Sequence, residues 1–434
     1  MLLLIENIKT EYLVIISTSL IIISSFIFNF VSKKTNIPSV LLLMALGISI
    51  QYLAPELKSN PLIFKILVIV GKVGLILIVL EAALDLKLER NKIALILKSF
   101  FMALFGLVAS SLLIAIAIQE FLSADFYSAL VYAVPLSIMS SAIIIPSVST
   151  CNGDTKEFMI YESTFSDILG IIFFQFLISP KVFYSPQQVF TSVSINIGTT
   201  ILVAIVFSYI AVWAIQKLTS HVKLFLIIAV LLLIYAIGSV FHLSSLIIIL
   251  IFGIILNNID IFFRGFLKKS IDKEKIKPIF KEFYTITLES AFVLRTFFFV
   301  TFGLTISLIS LINIEVAVLS IVLVSILFLV RLVFLKFFFL KKSIMPKLFI
   351  APRGLITVLL FYTIPKDKYL IENFDQGVLL YVILLSSLVM TIALIFSKGK
   401  SLSNIIKDYD ELNTTIETGL EDGHHDFERD SFKE

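Results

Sequence analysis

The sequence predicts an all-α, polytopic membrane protein with about thirteen transmembrane helices. Three observations point there. Hydrophobic residues make up 59% of the 434-residue chain and charged residues only 15%, whereas a soluble globular domain carries roughly a quarter charged residues. Mean hydropathy is +1.04, so lipid must solvate apolar surface that one aqueous core would not hide. Apolar stretches follow one another from Tyr12 to Ser397 with short polar breaks, and many reach the roughly 20 residues that cross a bilayer.

In chain order, spans are predicted near Leu13–Val31, Pro38–Leu53, Leu62–Leu84, Ile93–Ile118 and Phe126–Ser147. The next lie near Phe158–Ile178, Val189–Ile215, Val222–Gly238 and Leu243–Asn258. The last four lie near Thr285–Leu308, Ile314–Leu340, Met345–Pro365 and Gly377–Phe396. The longest internal loop, Asp260 to Glu282, contains Lys273-Glu274-Lys275 and reads as a solvated amphipathic linker. After residue 400 the sequence turns polar. Residues 401–434, with Glu421-Asp422-Gly423-His424-His425-Asp426, read as a cytoplasmic tail appended to a membrane domain over residues 1–400.

Lys and Arg collect in cytoplasmic loops of membrane proteins. With the N-terminus outside, the inward loops hold Lys33, Lys34, Lys87, Arg90 and Lys92, the basic run from Arg264, and Lys341, Lys342 and Lys347. The outward loops hold only Lys9, Lys58, Lys181, Lys366 and Lys368. The bias and the odd span count agree on an external N-terminus and an internal C-terminus.

Composition excludes several classes. A formal net charge of +4 offers no polybasic face to nucleic acid. The single cysteine, Cys151, permits no intrachain disulfide and no thiolate cluster. His221 and His242 sit at loop edges and His424 and His425 in the tail, so no histidine ligand pattern and no cofactor are expected. Residues 1–10 carry both Glu6 and Lys9 and lack the basic region and cleavage site of a signal peptide.

Ionisable groups inside a span are costly and mark function. Asp167 lies midway through the sixth predicted span, and Ser163, four positions earlier, shares its helix face. A carboxylate out of water can exchange a proton for a hard cation, because burial disfavours its bare charge. The Ser163 hydroxyl is a neutral oxygen ligand beside it. Glu162 lies about 140° around the helix from Asp167 and serves a different purpose. If buried, it needs a cationic partner; Arg295, Arg331 and Arg353 are the intramembrane candidates, and spacing does not choose among them. Glu81, in the third span, is either a cation ligand or gate or an interfacial charge, while Lys72 in the same span has no assigned role.

Two spans read as interrupted. The fifth contains Pro135-Leu136-Ser137-Ile138-Met139-Ser140-Ser141-Ala142 and then Pro146, and the twelfth contains Ala351-Pro352-Arg353-Gly354. Broken helices expose carbonyls and dipole ends at the midplane, where transporters bind ions.

Taken together, these residues resemble the monovalent cation:proton antiporter superfamily, the sodium/proton exchangers of bacteria and animals. The likeness runs from about Pro38 to Phe396. Its most specific piece is Glu162-Ser163-x-x-Ser166-Asp167, similar to the family's Glu-Ser-x-x-Asn-Asp motif. The resemblance implies that Asp167 binds cation and proton alternately, with Ser163 as a further ligand. It implies that Glu162 pairs with Arg331 in the eleventh helix and that Glu81, in Leu75 through Leu84, lies on the ion path. Arg295-Thr296-Phe297-Phe298-Phe299-Val300 and Pro352-Arg353-Gly354-Leu355-Ile356 are also family-like. The implied fold is an inverted-repeat antiporter core with two crossing broken helices beside a dimerisation domain, working as a homodimer in a bacterial inner membrane.

The sequence departs from the pattern twice. Ser166 stands where exchangers of this group have Asn. Ser140-Ser141-Ala142-Ile143 stands where many sodium exchangers have Ala-Thr-Asp-Pro, and is closer to the Ser-Ser-Thr-Ala of the potassium-linked branch. The expected activity is therefore Na⁺/H⁺ exchange, electroneutral because one carboxylate exchanges, with K⁺/H⁺ antiport as the alternative. An intramembrane aspartyl protease would want two aspartates from different helices, and no second deeply placed aspartate accompanies Asp167. A passive channel or scaffold would show no proton coupling.

Overall fold

The computed structural model describes residues 10–35, 37–53, 61–148, 151, 153–178, 186–217, 223–240, 245–263, 273–305, 312–340 and 344–396. The polar tail, Lys9, Lys58, Lys181, His221, His242, Lys341, Lys342 and residues 264–272 of the basic run lie outside these. Among the described residues there is no strand. The helices longer than one turn are α1 (Thr10–Thr35), α2 (Ser39–Leu53), α3 (Pro61–Asp85), α4 (Ile93–Leu122), α5 (Phe126–Ser137), α6 (Ser141–Ser147) and α7 (Gly153–Ile178). They continue as α8 (Pro186–Ile215), α9 (Lys223–Val240), α10 (Ser245–Asn257), α11 (Lys273–Thr305), α12 (Ile314–Phe338) and α13 (Leu355–Tyr362), followed by α14 (Gly377–Phe396).

Among the described residues, seven apolar segments are long enough to cross a membrane unaided, and four shorter apolar helices accompany them. Their outward side chains are large and apolar. Ile15, Leu20 and Phe26 on α1, Leu202 and Ile210 on α8, and Phe225 and Leu233 on α9 are all exposed. In water such faces would drive association; in lipid they are the solvent-facing surface.

Helix contacts sort into two groups. One is α2 and α3 against α11, with α10 on α3 and α8, and α1 and α9 outside. The other is α4 against α5, α7 and α12, with α6 on α7 and α13 on α5. Within the first group, Gly47 of α2 meets Gly303 and the Val300 carbonyl of α11 so closely that a Cβ on either glycine would collide with backbone. Lipid tails are as apolar as leucine, so close backbone approach through small residues is what drives helices together in a bilayer.

Helix ends differ from the expected boundaries where polar residues extend an apolar core. The segment read as a linker up to Glu282 is helical from Lys273 onward, so Lys273-Glu274-Lys275 forms the first turn of α11. Likewise α7 begins at Gly153 rather than Phe158. Hydropathy registers hydrocarbon thickness, not hydrogen bonding, so it stops short where a helix emerges from lipid.

Both expected interruptions are present. α5 runs through Pro135 and stops at Ser137, residues 138–140 are unwound, and α6 restarts at Ser141. The second is less symmetrical. Residues 345–349 form turns, residues 350–354 have no regular secondary structure, and only α13 beyond them is regular helix. Pro346 and Pro352 each withhold a backbone donor, which prevents a continuous helix across this stretch.

Candidate functional site

The two unwound segments cross and bond to each other. The Ser140 amide donates to the Pro352 carbonyl at 3.0 Å. Gly354 makes the crossing possible: a Cβ there would lie 2.6 Å from Ser140 Oγ and 2.8 Å from Ile143 Cδ1. Gly170 of α7 does the same on the other side, where a Cβ would strike the Ile138 side chain. Glycine is required at both places for room rather than for backbone conformation.

Breaking a helix in a membrane strands carbonyls and amides that no water reaches. Side chains answer them one by one. Arg353, only 4% exposed, donates from Nε to the Leu136 carbonyl at 2.9 Å and from Nη1 to the Ala351 carbonyl at 2.8 Å. Its guanidinium thus sits on the C-terminal end of α5, where the helix dipole favours a cation. The Arg353 amide donates to Ser386 Oγ of α14 at 3.0 Å. The Met139 amide donates to Ser166 Oγ at 3.0 Å, and the Ser141 amide to Asp167 Oδ2 at 3.2 Å.

Asp167 is 2% exposed, and its second oxygen, Oδ1, has no hydrogen-bond partner among the described residues. A buried acceptor left without a donor is costly and marks a position where a proton or cation would complete the shell. Ser163, expected beside it as a ligand, donates its hydroxyl to the Ile160 carbonyl of its own helix at 3.2 Å; that oxygen still has lone pairs to offer. Ser166 faces the break and acts as an acceptor for it, a reading that residue type alone did not give.

The partner of Glu162 is Arg331. Two parallel bonds, Nη1 to Oε1 at 2.7 Å and Nη2 to Oε2 at 2.9 Å, join them, and Arg331 also donates to the Lys347 carbonyl from Nε at 3.0 Å and Nη2 at 2.8 Å. The pair is buried and ties α7 to α12 and to the turns before the second crossing segment. Arg295 is engaged elsewhere: its Nη2 lies 2.7 Å from Glu81 Oε2 and 3.0 Å from Oε1.

Glu81 and Arg295 line a cavity of about 260 Å³ that also includes Asp85, Tyr284 and Ser141. Tyr284 donates to Asp85 Oδ1 at 2.6 Å. Thus Ser140, Ser141, Ser166, Asp167 and Arg353 meet at the crossing, Glu162 and Arg331 stand beside it, and Glu81 and Arg295 form a separate pair reached through Ser141. Asp85 and Tyr284 were not anticipated. Asp85 carried a signal, one helical turn after Glu81; Tyr284 carried none, because its partner lies 199 residues away.

The comparisons with known proteins agree with this architecture. A family model described as "Sodium/hydrogen exchanger, transmembrane" matches residues 19–398. Among solved structures, the sodium proton antiporter MjNhaP1 from Methanocaldococcus jannaschii at pH 8 superposes with a TM-score of 0.65 at 19% identity, covering 89% of this chain and 96% of that one. An electron-microscopy structure of the same antiporter gives 0.65 at 18% identity, covering 92% and 98%. No curated protein matches the chain in sequence. At such identity the solved structures establish the fold, and the family match extends over most of the chain: it belongs to the transmembrane sodium/hydrogen exchanger family.

Proposed function

We propose that this protein exchanges Na⁺ for H⁺ across a bacterial inner membrane, electroneutrally and by alternating access, with Asp167 holding either ion in turn. The observation that carries this reading is the unpartnered Oδ1 of a fully buried Asp167 at the crossing of two unwound segments. A bound proton or a bound cation each satisfies that oxygen, and one site cannot hold both. Each cation bound therefore displaces one proton, which is the basis for 1:1 exchange. Ser163, Ser140 and Ser141 are the neutral oxygens available to complete a cation shell, while Arg353, Glu162 and Arg331 hold the frame. The division of helices into two groups supports rocking of the crossing group against the other. A homodimer joined through that other group, with the N-terminus outside and the C-terminus in the cytoplasm, completes the proposal.

K⁺/H⁺ antiport is the second reading. It is favoured by Ala142 standing where many sodium exchangers place a helper aspartate, since Ser140 and Ser141 beside it add only hydroxyls to the Asp167 carboxylate and make a weaker field for the smaller, harder ion.

The test is a proteoliposome assay with a trapped pH dye. Na⁺, K⁺ or Li⁺ is added to acid-loaded vesicles containing wild type or Asp167→Asn. Cation-dependent alkalinisation should appear in the wild type and vanish in the variant, and the active cation names the ion. Exchange that survives in Asp167→Asn overturns the reading.

A further inference from the structure

The cavity of about 260 Å³ has two unlike walls. One belongs to the α3–α11 group and carries Glu81, Asp85, Tyr284 and Arg295; the facing wall, from α6 and α7, offers Ser141 as its one polar residue among the described lining. Ser141 is also the residue whose amide bonds Asp167. Every formal charge in the cavity is therefore on the wall that does not hold Asp167.

The two carboxylates on that wall are held differently. Glu81 is paired with Arg295 at 2.7 Å, so together they carry no net charge. Asp85 is held by a tyrosine: Tyr284 donates to Oδ1 at 2.6 Å, and no ion pair joins Asp85 among the described residues. A phenol fixes a carboxylate in place without cancelling its charge, so the cavity keeps a net negative charge centred on Asp85. Both attachments run between α3 and α11, two helices packed along each other, so neither carboxylate is tied to the crossing segments.

We propose that Asp85 recruits the transported monovalent cation: it concentrates cations in this cavity, on one side of the membrane only, and remains behind when the ion is carried. The proposal rests on the alternating-access reading above, in which the crossing group moves and the α3–α11 group does not. Tyr284 is a positioning residue for Asp85. A unit charge about 10 Å from an approaching cation raises its local concentration roughly twofold in a water-like dielectric and about fifteenfold in the dielectric of a protein surface.

The experiment compares wild type with Asp85→Asn, each in right-side-out and inverted vesicles, with Na⁺ and K⁺ as the probes. The half-saturating cation concentration should rise about two- to fifteenfold on the side bearing the α3–α4 connection. On the opposite side it should stay within about twofold, and the maximum rate should hold. Impermeant N-methylglucamine chloride should abolish the difference, since the Debye length falls from about 10 Å at 0.1 M to about 3 Å at 1 M. Asp85→Glu should restore wild-type half-saturation. If Asp85→Asn does not fold, the wild type alone decides: impermeant salt should raise half-saturation on that one side. Equal shifts on both sides, a fall in maximum rate at unchanged half-saturation, or insensitivity to salt would each overturn the proposal. Asp167→Asn is run in parallel. If it abolishes exchange while Asp85→Asn does nothing, the recruitment idea alone fails; if Asp167→Asn still exchanges, the underlying reading fails.

Discussion

Ser141 donates its backbone amide to Asp167 Oδ2 at 3.2 Å, and this bond links the first residue of α6 to the middle of α7. It leaves Oδ1 without a partner, so one half of the carboxylate belongs to the frame and the other half is open. Asp167→Asn keeps an oxygen for the Ser141 amide but removes the exchangeable charge, so the protein should fold as wild type while cation-dependent proton flux falls to background. Size-exclusion profile and pH-dye flux, measured on the same preparation, check both halves.

Competition for one open oxygen also fixes a sign for pH dependence. If proton and cation share Asp167, acidifying the cation side raises the half-saturating cation concentration, approaching about tenfold per pH unit when the proton dominates, and leaves the maximum rate reachable at high cation. A half-saturation that ignores pH on the cation's side would show that the two ions occupy different places.

The Glu162–Arg331 pair is buried with two parallel bonds. Removing one partner leaves an uncompensated charge, so Glu162→Ala or Arg331→Ala should each destabilise the protein by about 3–5 kcal/mol. Arg331→Lys should also lose stability, because a lysine cannot make the paired bonds to Glu162 while reaching the Lys347 carbonyl. Thermal unfolding in detergent, with the double variant Glu162→Gln and Arg331→Met included, reads this directly. The double variant should lose less than the sum of the single alanine variants.

Gly354 and Gly170 leave no room for a methyl group. Gly354→Ala drives a Cβ against Ser140, in the segment whose amide bonds Pro352, so exchange should drop at least tenfold while helix content is retained. Gly106, where a Cβ meets nothing within 4 Å, is the control, and Gly106→Ala should leave flux and melting temperature unchanged. Flux at saturating cation separates the two.

Much of the site was legible one residue at a time. Asp167 announced itself because an ionisable side chain amid apolar sequence has no other inexpensive reason to be there. The breaks near Ser140 and at Pro352-Arg353-Gly354 were legible because proline removes donors and a span of lipid length then fails to close its hydrogen bonds. The choice of Arg331 for Glu162 was not legible from spacing, since it depends on which helices touch across 169 residues of chain. The role of Ser166 as an acceptor for the Met139 amide, and the hold of Tyr284 on Asp85, were invisible for the same reason.

By itself, then, the sequence determined that this chain crosses a membrane many times, where two of its helices break, and which carboxylate lies at the middle. Those are properties of local composition, decided by the cost of placing charge, proline and unpaired backbone in hydrocarbon. Tertiary structure alone decided which charges cancel and which stay open. Arg295 neutralises Glu81, Arg331 neutralises Glu162, Arg353 is spent on the carbonyls of the break, and Asp167 keeps one bare oxygen. Pairing is a matter of contact between helices distant in sequence, and only the folded chain brings them within bonding distance.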